Sequence, residues 1–217
     1  MVKLELVARS EEVRREASEL ALAAWSEGPR HGRFVELAGG RAYFKLSALA
    51  GKTRVRYAFK RRFLRAPLPR LAEFANLAWL RKNDFQAPEP LAAGALWERG
   101  LPRFQFLFTR EVAGARTLAS FLADETRLDL RAAVLGELAR TVARMHSLRF
   151  LHHDLFPRNI LVTDGIWFLD CWAGGLPPQA RGPDYDLACL TRNTERTLST
   201  AEIERILEVY ASVRRTR

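Results

Sequence analysis

Apolar positions recur at helical spacing from Ser10 to Trp25. Val13, Ala17, Leu20 and Ala24 share a face, Ser10 is placed to cap the first turn, and Gly28-Pro29 ends the run. The period then shortens. Phe34 to Leu37, Gly39-Gly40 and Arg41 to Leu46 read as a β-hairpin, because Gly-Gly supplies the positive φ that a tight turn demands. Thr53 to Leu64 carries two periods at once. Val55, Tyr57 and Phe59 alternate as in a strand, while Val55, Phe59 and Phe63 also fit one helical face. Leu71 to Leu80 is helical, opened by Pro67 and Pro69.

Pro88 and Pro90 mark a loop, and Phe104 to Thr109 is a short strand. Leu118 to Ala123 and Leu130 to His146 are helical. Ile160-Leu161-Val162, a turn at Asp164-Gly165 and Ile166 to Leu169 read as a second hairpin, and helices over Asp184 to Leu190 and Ala201 to Arg214 close the chain. Strands come first and helices later, which predicts an α+β protein in two lobes. The boundary falls near Arg110 to Gly114. Residues 1–110 then form a small β-rich lobe with the helix that carries Glu73, and residues 111–217 a helical lobe.

Composition narrows the class. With 48% hydrophobic and 28% charged residues over 217 positions, the chain reads as folded. No apolar run reaches the roughly 18–20 residues of a membrane span. Met1 to Arg15 mixes charge throughout and lacks the apolar core of a signal peptide. Cys171 and Cys189 are too few for a disulfide framework or a zinc site, which points to a reducing cytoplasm. The net charge of +10 is concentrated: Arg41 to Lys82 holds twelve Lys or Arg against one acid, Glu73. Such a stretch implies an anionic partner (nucleic acid, phosphorylated substrate or acidic membrane surface), or simply a solvated Arg-rich face. By itself it selects no function.

The chemistry lies in His152-His153-Asp154-Leu155-Phe156-Pro157-Arg158-Asn159, then Ile160-Leu161-Val162, then Trp167-Phe168-Leu169-Asp170. The form is H-x-D-x-x-x-x-N, apolar strand, turn, apolar strand, D. Phosphoryl transfer from a nucleotide needs a carboxylate to orient and deprotonate the attacking hydroxyl, and oxygen ligands to hold Mg²⁺ against the phosphates. A hairpin after the loop places Asn159 at its start and Asp170 at its far end, so the turn returns both to one edge. Asp154 is then the candidate catalytic base, and Asn159 and Asp170 the candidate metal ligands.

That order and spacing resemble the catalytic loop and metal-binding Asp of the protein-kinase superfamily. The resemblance implies a two-lobed kinase-like fold. It also implies a strand lysine paired with a helix glutamate to hold the nucleotide phosphates. Glu73 fits the glutamate. Lys45, on the second strand of the first hairpin, is favoured for the lysine over Lys60, which stands thirteen residues before Glu73 and becomes a surface cation if Thr53 to Leu64 is helical. Phe106 to Gly114 resembles the strand and hinge where adenine binds through main-chain groups, Arg110 and Val112 among them. Asp186 resembles the buried helix Asp that braces the catalytic loop, and His146 and His152 read as structural hydrogen-bonders.

Within the superfamily the chain resembles the bacterial lipopolysaccharide kinases, from about Phe34 to Leu190. There, a hairpin lysine is followed by a basic insert, a Leu-Pro and a helix glutamate; here Lys45, Lys52 to Arg65, Leu68-Pro69 and Glu73 follow that order. Pro88 to Gly94 is similar to the segment after that helix. Cys171-Trp172 stands where protein kinases have Phe-Gly, Phe156 where they carry a phosphate-contacting lysine, and His153 where an arginine reads a phosphorylated loop. Only thirteen residues, Cys171 to Pro183, separate Asp170 from the next helix, too few for a protein-substrate platform. No clear glycine-rich phosphate loop precedes the hairpin, Gly28 and Gly32 being the candidates. The resemblance implies ATP and Mg²⁺ as cofactors and a sugar hydroxyl, on a glycolipid, as acceptor. It also implies a cytoplasmic protein peripheral to the inner membrane, with the basic stretch facing an anionic surface. A pseudokinase that binds nucleotide or a partner without turnover, and an aminoglycoside-type kinase, are the alternatives. A nucleic-acid module lacks any reading motif.

Overall fold

Two units divide the chain, Met1–Trp79 with Pro88–Val112 and Leu80–Ala87 with Ala113–Arg217, in a computed structural model that describes residues 2–27, 32–192 and 197–215. The first unit comprises β1 (Val2–Ala8), α1 (Glu11–Glu27), β2 (Arg33–Leu37), β3 (Gly40–Ala48), α2 (Gly51–Phe63), most of α3 (Pro69–Lys82), β4 (Pro90–Glu98) and β5 (Leu101–Arg110). Its antiparallel sheet has the order β1-β4-β5-β3-β2. Strand parity assigns the two faces. Ala42, Phe44 and Leu46 of β3 and Phe104, Phe106 and Phe108 of β5 join one core with Val13, Ala17, Ala21 and Ala24 of α1. The small residues on α1 let the helix approach, and the Phe44 and Phe108 rings stack at 4.2 Å. The alternate positions, Lys45, Ser47 and Gln105, point to the opposite face, where α3 lies.

Several elements differ from the sequence reading. The first turn is Ala38-Gly39, both at positive φ (49° and 71°), so Gly40 is already paired with Leu37. Thr53 to Phe63 resolves as helix, inside α2, with Leu64 as its C-cap and no residue of the helix buried. Pro88 lies in the connection between α3 and β4, but Pro90 already begins β4. Both faces of β4 are covered, so its run Leu91-Ala92-Ala93 shows no alternation. At the N-terminus, β1 was legible but passed over: Leu4 and Leu6 pack against the core while Lys3 and Glu5 take the other face. Ser10 does cap α1, its Oγ accepting from the Val13 N–H at 3.3 Å. Gly28 and Pro29 lie outside the described residues.

The second unit contains β6 (Arg116–Thr117), α4 (Leu118–Asp124), α5 (Leu128–Ser147), β7 (Ile160–Val162), β8 (Ile166–Phe168), α6 (Pro183–Thr191) and α7 (Thr200–Arg215). Leu135, Leu138, Ala139, Val142, Ala143 and His146 give α5 a buried stripe at i, i+3, i+4, i+7 spacing, against which α7 packs. Strands β6, β7 and β8 form a small antiparallel sheet beneath the loop of interest.

Candidate active site

Asp186, fully buried on α6, is the hub of the loop. Its carboxylate accepts the main-chain N–H of His152 and of His153, each at 2.6 Å, and lies 3.0 Å from His146 Nε2. His146 Nε2 donates to that carboxylate, so Nδ1 accepts from the Tyr210 hydroxyl at 2.9 Å. His153 adopts φ 61°, a left-handed turn that aims two successive N–H groups at one anion. Burial pushes the Asp186 carboxyl up, but the bonds from His146 and the His152 main chain outweigh it and hold the group below its ordinary value. Burial drives the His152 imidazole down to about 4, against the pull of Asp186 and Asp170. That ring accepts the Asp154 N–H at Nδ1 (3.3 Å), and its Nε2 side is buried toward the Leu169 main chain. His146 and His152 thus make hydrogen bonds that hold the loop together.

The segment after Asp170 is fastened to the same loop. Leu151 and Gly175 exchange main-chain bonds of 3.1 and 2.8 Å, and a Cβ on Gly174 would run into the Leu151 and His152 carbonyls. The His153 ring nitrogens face the Ala173 and Arg181 carbonyls at 3.1 and 3.0 Å. His153 therefore meets the segment's main chain directly.

Asn159 and Asp170 are brought to one edge by strand register. Ile160 pairs with Phe168, and the Leu169 N–H donates to the Asn159 carbonyl at 2.9 Å, so Asp170 follows immediately across from Asn159. Asn159 donates from Nδ2 to the Asp154 carbonyl at 2.9 Å, which commits its nitrogen and leaves Oδ1 as the acceptor. Asp170 sits at φ 59°, a conformation Asp tolerates better than most residues, at a cost of order 1 kcal/mol. An amide oxygen beside a carboxylate is a hard-oxygen donor set suited to Mg²⁺, which fills its shell with water and substrate phosphates. Among the described residues no cluster of three or more His, Cys, Asp or Glu could hold a metal.

The first unit carries its own group. Lys45 Nζ stands 3.2 Å from Glu73 Oε1, with Glu73 only 2% exposed. Arg70 binds the other Glu73 oxygen and also reaches Ser47 Oγ at 2.9 and 3.1 Å. Lys60 is an exposed cation on α2. Of the two residues that the resemblance gives to adenine binding, Arg110 has spent its N–H on the Glu89 carbonyl (2.8 Å), and its guanidinium reaches the Leu37 carbonyl (3.1 Å). Val112, among the described residues, makes no such backbone bond, and of the pair it has main-chain groups to offer. Gly32 stands against the Tyr43 hydroxyl, a packing reason for the missing side chain.

Sequence reasoning passed over Arg158. Its guanidinium stacks on the Phe156 ring at 4.3 Å and lies 3.8 Å from an Asp154 oxygen. The signal was present: a cation two residues beyond the position where Phe156 replaces the usual lysine.

The family model of the lipopolysaccharide kinases, "Lipopolysaccharide kinase (Kdo/WaaP) family", matches residues 23–210. The chain belongs to that family. It is a kinase of the kind that phosphorylates sugar hydroxyls of lipopolysaccharide. Among solved structures, "WaaP in complex with acyl carrier protein" is similar with a TM-score of 0.61 and 18% identity, over 96% of this chain and 89% of that one, a likeness of fold. No curated protein matches the chain by sequence. Among the described residues, no helix of this kinase is long and apolar enough to cross a membrane.

Proposed function

We propose that this kinase transfers the γ-phosphoryl group of ATP, with Mg²⁺, to a sugar hydroxyl of a lipopolysaccharide-type glycolipid at the cytoplasmic face of the membrane. The observation that supports the reading is the register of β7 and β8, which brings the main chain of Asp170 across from Asn159, while Asn159 Nδ2 bonds the Asp154 carbonyl. Asp154 orients the acceptor hydroxyl and takes its proton. Asn159 Oδ1 and the Asp170 carboxylate would hold the metal, which when bound would neutralise phosphate charge. Lys45, oriented by Glu73, meets the nucleotide phosphates, and Val112 offers main-chain groups to the base. Arg158 supplies the positive charge that Phe156 cannot.

The test is transfer of labelled phosphate from ATP to a panel of lipid-linked and free sugars. Asp154→Ala should keep nucleotide binding and lose on the order of 10²–10⁴ in rate, since only the base is removed. Transfer at the wild-type rate in Asp154→Ala would overturn the mechanism.

A further inference from the structure

Helix α2 turns its apolar side outward. Thr53, Arg54, Tyr57, Ala58 and Arg61 are its half-buried positions. Of these, Arg54 donates to the Pro102 carbonyl at 3.0 Å and Arg61 pairs with Glu5 of β1. At about 100° per residue, the opposite face falls on Val55, Phe59 and Phe63. They are 57%, 55% and 63% exposed, with Leu64 just beyond at 64%. The Phe59 and Phe63 rings lie 4.7 Å apart, so the stripe is continuous. Each of these side chains is more than half exposed, yet all are large and apolar. Single exposed hydrophobics are ordinary; three at four-residue spacing on one outward face are not.

Charge selects the occupant. Lys52 to Arg65 holds seven Lys or Arg, and no acid occurs from Gly51 to Ala72. Lys52 heads the stripe at its N-terminal end, Arg56 and Lys60 border it on one side and Arg62 on the other, long side chains able to keep their charge in water while their stems lie along apolar surface. A second copy of the same face would bring cations against cations. An anionic bilayer leaflet satisfies both features at once.

We propose that α2 is a surface-lying membrane helix: its apolar stripe enters the headgroup–acyl boundary of an anionic leaflet, and the flanking cations meet lipid phosphates. This deepens the peripheral-membrane part of the proposed function but is carried by α2 alone, and no nucleotide, acceptor or turnover enters its test.

The full chain is centrifuged with vesicles of phosphatidylcholine alone or with about 30 mol % phosphatidylglycerol. Wild type should pellet with the anionic vesicles and far less with the neutral ones. Phe59→Gln with Phe63→Gln keeps charge and helix propensity and opens no core, because α2 has no buried residue. This pair should lower partitioning by roughly tenfold or more. Lys60→Glu with Arg62→Glu should lower it comparably, with circular dichroism unchanged in both. Wild type remaining in the supernatant of both vesicle types would overturn the proposal. So would a glutamine pair that pellets like wild type, or wild-type self-association that the glutamine pair abolishes.

Discussion

Lys45 and Glu73 form a 3.2 Å ion pair between a strand and a helix twenty-eight residues apart. The pairing follows from parity. Phe44 and Leu46 occupy the core face, so Lys45 takes the face beneath α3, where Glu73 is almost wholly buried. Arg70 shares that carboxylate, so Lys45 can leave the pair without stranding a lone buried anion. Lys45→Ala should therefore stay folded and lose nucleotide affinity or turnover by roughly 10- to 100-fold, the worth of a charge-assisted contact. Lys60→Ala should stay within about twofold, as expected for an exposed helix cation. Nucleotide thermal shift and steady-state transfer read both; the reverse order would move the role to Lys60.

Asp170→Asn should abolish the Mg²⁺-dependent part of nucleotide stabilisation without unfolding the second unit. Asn keeps the left-handed backbone at low cost but offers the metal a neutral amide in place of a carboxylate. Equal stabilisation of variant and wild type by Mg²⁺ and nucleotide would remove Asp170 from the metal site.

Arg158→Ala should lower turnover by on the order of tenfold to a hundredfold while nucleotide binding holds, because its charge lies beside Asp154. The side chain is half exposed, so folding should be little affected. Phe156→Ala, which removes only the platform beneath the guanidinium, should have the smaller effect. A variant as active as wild type would make the Arg158–Asp154 approach a surface ion pair.

Acid should unfold the second unit in two stages. His152 titrates near 6.5 when unfolded and is held at about 4 in the fold, so the unfolded chain binds the extra proton between those values. Stability is then full above about 6.5 and falls as pH drops toward 4, by on the order of 3 kcal/mol at most. Below that, Asp186 and Glu202, both held under their ordinary values, lose their contribution as they protonate. Urea midpoints across pH 4 to 7 should show the first stage in wild type and a flatter profile in His152→Asn, whose amide oxygen can still accept the Asp154 N–H. An equal slope in both would place the acid-sensitive group elsewhere.

The loop and hairpin were legible because their information is local. The spacing Asp154 to Asn159, two apolar tripeptides and an Asp-Gly turn prescribe a register without reference to the rest of the chain, and β7 and β8 adopt it. The helices α1, α5 and α7 were legible for the same reason: a single stripe faces a single core. Tertiary structure decided what lacked a local signal. Ala92 and Ala93 of β4 are buried on opposite faces of a central strand, so no alternation marks it, and Pro90 reads as a breaker. Thr53 to Leu64 satisfies two periods, and only the docking of Arg54 and Arg61 on the sheet selects the helix and turns Phe59 outward. Lys45 and Lys60 are equal as residues. What separates them is that one projects from a paired strand toward Glu73, and the other into solvent. Convergence on Asp186 has the same origin. Main-chain N–H groups carry no sequence, so which carboxylate collects them depends on how the chain returns, thirty-four residues later, to the loop it braces.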